Sequence, residues 1–198
     1  MNRTLLWANI ILFLILVATA GFWSFASLVR SPSKSVAIPA DQVADMLHAV
    51  IEAQRTVYTK NVVDPLQAQG VAEASEHWKE EKALPLPAQM ILDGGRLVAT
   101  KGVSLKYRLA SVTPIYVWNA PQTDFERKGL EAVQKEPDKP FTGFVQVGQD
   151  RVFQAIYADK AVSETCISCH NQHPNSSRRD FKLNDVMGGV VITIPIKD

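Results

Sequence analysis

Cysteine is nearly absent from this chain: Cys166 and Cys169 are the only two in 198 residues. A fold stapled by several disulfides is therefore excluded, and any chemistry that needs sulfur must use this one pair. Strong charge of one sign is missing as well. The formal net charge is +1, from 21 basic and 20 acidic residues. No basic stripe of the kind a phosphate backbone requires is visible, which argues against nucleic acid as a partner. Internal repeats and low-complexity tracts are also lacking, so repeat architectures drop out.

Long hydrophobic runs are scarce, with one exception. After Met1, Asn2 and Arg3, no charged residue occurs from Thr4 to Val29, which exceeds the roughly 20 apolar residues of a spanning helix. Ala18-Thr19-Ala20 resembles the small-residue cleavage site of a signal peptide. Against cleavage, Phe22, Trp23 and Phe25 continue the apolar stretch, and Trp23 suits the interfacial aromatic belt. The expected organisation is an N-terminal transmembrane anchor or uncleaved signal over 1–30, a linker over 31–39 and one domain over 40–198. Arg3 is opposed by Arg30 and Lys34, so charge alone does not orient the anchor.

The domain reads as mixed α and β. Asp41 precedes Val43, Met46, Leu47, Val50, Ile51 and Val57, an apolar set at three- and four-residue steps that predicts a helix to about Asn61. A more polar helix is expected from Gln67 to Lys82, and Pro87 opens another to Val98. Val103 to Leu109 alternates as a half-buried strand. Thr123-Asp-Phe-Glu126 is a capping box for a helix to Lys135. Phe141–Val147 and Arg151–Tyr157 flank a glycine-containing hairpin turn, and Val190–Ile196 is a closing strand. Helices first and antiparallel strands later predict a two-layer α+β domain.

The cysteines lie in Cys166-Ile167-Ser168-Cys169-His170. C-x-x-C-H is the attachment signature of c-type haem: two thioethers hold the vinyl groups, and the adjacent histidine is the proximal iron ligand. One covalently bound haem c is the expected cofactor. A redox dithiol would want a βαβ context, a disulfide over two residues is a weak staple, and zinc would need ligands beyond His170 and His173. Such haem attachment takes place outside the cytoplasmic membrane. The motif thus implies an inner-membrane, single-pass chain with its C-terminal domain in the periplasm.

Cys166 to Gly188, reading CISCHNQHPNSSRRDFKLNDVMG, resembles the signature of PAS-like c-type haem domains of bacterial sensor proteins and small cyanobacterial haem proteins. Leu84-Pro-Leu-Pro-Ala88, Tyr107-Arg-Leu-Ala-Ser111 and Asn119-Ala-Pro121 with Asp124-Phe-Glu-Arg127 resemble the same family. The resemblance implies a PAS-like domain, with a central antiparallel sheet flanked by helices. Ser177, Phe181 and Asn184 depart from its pattern, standing where proline, tryptophan and glycine are usual. A cysteine opposite the proximal histidine, described for a cyanobacterial member, has no counterpart here.

The ligand opposite His170 is therefore open. His48, His77 and Met90 are weak candidates, each with a plain alternative as a surface or core residue. His173 is expected to hydrogen-bond its loop or a haem propionate. Arg178 and Arg179, with Lys182, form a basic cluster that either pairs with a propionate, steers a partner or is simply solvated. Trp118 and Asn119 either cover the haem edge or pack in the core.

The function expected is a membrane-anchored periplasmic monohaem cytochrome. It would transfer electrons to a redox partner protein or serve as a haem-bearing accessory subunit of a membrane complex. The alternative is a haem-based redox or gas sensor that signals through a partner. The sequence ends soon after its last strand without a kinase domain or coiled-coil stalk, which tilts the expectation toward the carrier. Enzymatic turnover ranks last, because no distal acid–base pair is identifiable.

Overall fold

The protein is described by a computed structural model over residues 37–196. From Ile38 onward the chain forms one compact unit. The expected anchor and most of the linker lie outside the described residues, and within these no helix is long and apolar enough to cross a membrane.

Helix α1 (Ala40–Tyr58) continues through a π-helical turn at Thr59–Val63 into α2 (Asp64–Ala68). Gly70, at φ +65°, ends the run with the left-handed residue that glycine accommodates. The helix was expected, and Leu47 and Ile51 of its predicted apolar set pack on the core, but the rest of that set does not. Ala44, Ile51 and Arg55 face inward, while Met46, Val50 and Val57 are 58%, 52% and 56% exposed. The sequence carries two stripes at helical spacing. The chain buries the one whose small Ala44 permits close approach and whose Arg55 finds an acidic partner.

The single helix predicted over 67–82 is not formed. In its place stand β1 (Ala74–Ser75), α3 (Trp78–Glu81) and then β2 (Leu84–Pro85), with β1 and β2 pairing in parallel. The Ser75 hydroxyl accepts from the His77 N–H at 3.1 Å, a local bond that competes with helix. Helix α4 (Pro87–Ala99) starts as predicted, with proline in its first turn and the Gln89 side chain accepting from Leu86 N–H at 3.0 Å.

Four strands form the main sheet: β3 (Lys106–Ala110), β4 (Phe141–Val147), β5 (Asp150–Lys160) and β6 (Val186–Pro195). Their order is β3-β6-β5-β4, antiparallel throughout, and Gly148 at φ +63° turns the β4–β5 hairpin. The two-layer expectation needs correction. Phe153, Tyr157, Val190 and Ile192 pack on one face with Ile51 of α1 and Ile91 of α4. Ile156 and Val191 pack on the other face with Leu130 and Val133 of α5 (Asp124–Lys135). Both faces of the central sheet are thus covered, giving three layers. Burial of Ile156 and Ile192, both 0% exposed, contributes about 1.5–3 kcal/mol each.

The capping box of α5 forms only in half. Thr123 Oγ1 accepts from the Glu126 N–H at 3.1 Å. Glu126, 3% exposed, turns instead to the Gln122 N–H at 2.6 Å and the Arg108 guanidinium at 2.5 Å. Desolvation of the carboxylate is offset by these two charge-assisted bonds.

Candidate functional site

Strand β5 leads through Ala161–Ser163 into α6 (Glu164–Gln172), which carries the cysteine motif. No helix was expected there. Cys166, Cys169 and His170 stand at i, i+3 and i+4, so the helix presents all three on one face. That face lines a cavity of about 680 Å³. Ile167, 9% exposed, points away into a small cluster with Ala161, Phe181 and Met187. Although α6 follows a strand, β5 and β6 are antiparallel neighbours, so the βαβ unit of a dithiol oxidoreductase is absent here. Burial pushes the Cys169 thiol up, helped by Glu76 and Cys166, away from the thiolate a redox cysteine needs. Among the described residues no group of three or more His, Cys, Asp and Glu side chains is placed to hold a metal ion.

Asn171 fastens the end of the motif. Its side-chain amide donates to the Phe181 carbonyl and its oxygen accepts from the Phe181 N–H, both at 3.0 Å. Phe181 in turn stands edge-on to the His170 ring, 5.6 Å between centroids at 86°. His170 Nδ1 is buried with no hydrogen-bond partner. Burial holds the imidazole below its usual pKa, with Asp159 opposing, so the neutral ring dominates near pH 7. A neutral imidazole is the form that binds a metal. Asn184, in the place of a glycine in the resembled pattern, takes φ +70°, a conformation asparagine tolerates better than other non-glycine residues.

The opposite walls come from distant parts of the chain. Arg55 of α1 is ion-paired with Asp159 of β5, and both line the cavity. Glu76 accepts from the Tyr116 hydroxyl and lies 3.6 Å from His173 Nε2 and 3.5 Å from His77 Nε2. The Tyr116 bond is the main cause that holds the Glu76 carboxyl below its usual range, and the same bond pushes Tyr116 up to about 12. Tyr116 stacks on Trp118 at 4.5 Å, and Trp118 is 62% exposed at the rim.

The structure therefore brings together Cys166, Cys169, His170, His173, His77, Trp118 and Asn119 of the residues singled out from sequence. His173 accepts from the Asn175 N–H through Nδ1 at 3.1 Å, fixing its own loop. The other candidates lie away from this cavity. His48 stacks on Tyr157 at 4.0 Å beside a separate small recess, and Met90 packs against the core. Neither lines the large cavity, because α1 and α4 turn those positions toward the sheet. Arg178 is engaged by Asp180 and Asp185, both at 2.8 Å, and lies over the Phe181 ring. Arg179 donates to the Pro174 carbonyl at 3.1 Å. Neither arginine is among the cavity walls, whose cations are Arg55, Lys79 and Arg96.

Sequence reasoning missed Arg55, Glu76, Tyr116 and Asp159, whereas Asn171 belongs to the signature that carried the resemblance. A signal existed for Arg55 alone: it falls four residues after Ile51, on the helical stripe that is buried. The others are joined by tertiary contacts across long stretches of chain.

Fold and site define a mixed helix-and-sheet domain with an antiparallel sheet and one large cavity walled by a cysteine–histidine helix. The chain belongs to the Tll0287-like family, whose sequence model matches residues 33–195. Among solved structures, that of the cyanobacterial heme-protein Tll0287 is similar in fold, with a TM-score of 0.54 at 14% identity. The match covers 81% of this chain and 99% of that one. No curated protein matches the chain.

Proposed function

We propose that this chain is a membrane-anchored periplasmic cytochrome that carries one covalent haem c in the cavity beside α6. It would transfer single electrons to a redox partner, or serve as the haem-bearing accessory subunit of a membrane redox complex. One observation carries the reading: both thiols and the His170 imidazole share a single helix face on the wall of the same cavity. The residues present fit the group: the volume of about 680 Å³ lies within the range of cofactor sites, and two thiols and an imidazole, the donor set of a C-x-x-C-H haem site, line it together. The family relation to a protein described as a heme-protein supports the same reading.

Cys166 and Cys169 would hold the group through two thioether bonds, whose formation from a thiol and a carbon–carbon double bond is an addition that needs no oxidant. His170 would hold the iron through a ring nitrogen in its neutral form. The bound group would supply one-electron chemistry, its potential set by ligation and burial. Phe181 fixes the plane of His170, and Asn171 fixes Phe181. Arg55, Lys79 and Arg96, the cations on the cavity wall, are the groups available to offset propionate charge. Glu76 is held ionised and Tyr116 protonated by their mutual bond, so neither is poised for proton transfer near neutral pH, which favours a carrier over an enzyme.

A sensor is the second reading. His77, the remaining histidine at the cavity, is 66% exposed on the rim and turned toward Glu76, which favours an open iron face. The visible spectrum of the reduced full chain, with and without carbon monoxide, separates the two. An unchanged spectrum supports the carrier. Prompt carbon monoxide binding at neutral pH overturns it in favour of the sensor.

A further inference from the structure

The outward face of α1 carries an unusual pattern. Val43, Met46, Val50, Ala53 and Val57 follow one another at steps of 3, 4, 3 and 4 residues along a single continuous helix. This is the a/d spacing of a coiled-coil seam, and it spans about 21 Å of helix. The seam does not serve the core of its own domain. Met46, Val50 and Val57 are each more than half exposed, and the domain is gripped by the opposite stripe of Ala44, Ile51 and Arg55. The flanking e and g positions, Leu47, Ala49, Gln54 and Thr56, carry no charge. All the charged residues of α1, Asp41, Asp45, Glu52 and Arg55, lie off the seam.

We propose that this face is the interface with a second copy of the same chain, formed by two α1 helices packed in parallel about a two-fold axis. A two-fold seam places each residue against its own counterpart, so a stripe with no charge meets no like-charge repulsion from itself. A partner protein recognised by charge would find nothing to read here. The sequence preceding α1 argues for the same occupant. The uncharged run from Thr4 to Val29 is joined to α1 by a short linker, and two chains so anchored would enter the seam from the same side. Anchoring in one plane also raises the effective concentration, which two heptads need to associate.

Site-directed cross-linking of the full chain in its membrane tests this. Val43→Cys, Val50→Cys and Val57→Cys are each oxidised with copper phenanthroline and run on a non-reducing gel. Glu52→Cys, exposed but off the seam, is the comparison, and the unsubstituted chain gives the background from Cys166 and Cys169. All three seam variants are expected to give a dimer band at least several-fold stronger than Glu52→Cys. Cross-linking at Val50→Cys alone overturns the parallel arrangement, since antiparallel helices would set Val43 against Val57. Seam cysteines that stay monomeric, and that a water-soluble maleimide labels in detergent but not in membranes, overturn the proposal in favour of contact with the bilayer. A second variant, Val50→Asp added to Val57→Cys, is expected to reduce the Val57→Cys dimer band in membranes at least several-fold. An undiminished band overturns the seam.

Discussion

The Arg55 guanidinium bonds to the Asp159 carboxylate with one nitrogen and to the Lys160 carbonyl with the other, the latter at 2.6 Å. This pair locks α1 to β5 at the cavity wall, where the β5–β6 register slips between Asp159 and Lys160. Their side chains are 8% and 19% exposed, so removing one partner strands a largely desolvated charge. Arg55→Met is expected to cost about 3 kcal/mol. The double variant Arg55→Met with Asp159→Leu should cost clearly less than the sum of the two single changes. Urea unfolding measures both, and strictly additive losses would show that the pair is not coupled.

Gly129 sets how closely α5 approaches the sheet. A Cβ built there would meet Ile156 Cδ1 at 2.3 Å and Phe141 Cδ1 at 2.8 Å. Gly129→Ala is expected to lose about 1–3 kcal/mol by overpacking, despite the better helix propensity of alanine. A gain in stability on thermal unfolding would contradict this packing.

Glu76 controls the ionisation of Tyr116. With Glu76→Gln the phenol loses its charged acceptor, and its pKa should fall from about 12 toward the ordinary value of 10. The other three tyrosines owe their raised values to burial first, and so they should not follow. Difference ultraviolet titration reads this as one phenolate appearing earlier. Four unchanged transitions would mean that the Glu76–Tyr116 bond does not govern this residue.

His48 gives the fold a pH dependence with a definite sign. Burial against Tyr157 lowers its pKa below 6.5, with Glu52, Asp159 and Asp45 opposing. Above that value both folded and unfolded chains hold it neutral, and no penalty arises. As pH falls through 6.5, the unfolded chain takes a proton that the folded chain resists, and stability drops until the lower folded pKa is reached. Melting curves between about pH 8 and about pH 5 should show a smaller loss for His48→Gln than for the parent chain. An equal loss would place the titrating group elsewhere.

Periodicity and turn chemistry made much of the fold legible. Pro87, Thr123 and Gly148 each mark the boundary they were expected to mark. Periodicity could not say which of two stripes on α1 is buried, since that depends on Asp159, which is 104 residues away from Arg55. Nor could composition reveal that Gly70 and the Ser75 turn break the polar segment that follows. At the site, Cys166, Cys169 and His170 were legible because their chemistry is local and their spacing fixed. Glu76 and Tyr116 were not, because a carboxylate and a phenol 40 residues apart acquire meaning only when the fold joins them. For Arg178 the sequence left three readings open, because whether a cation is already paired depends on where the loop sets Asp180 and Asp185.

The most direct test is whether haem stays on the chain when the protein is denatured. The full chain, made together with a haem-attachment apparatus, should retain one haem through a denaturing gel, seen by haem staining and by intact mass. Cys166→Ser with Cys169→Ser should abolish that retention, while His170→Ala should keep it and shift the Soret band. A parent chain that emerges with two free thiols and no bound haem would contradict the account.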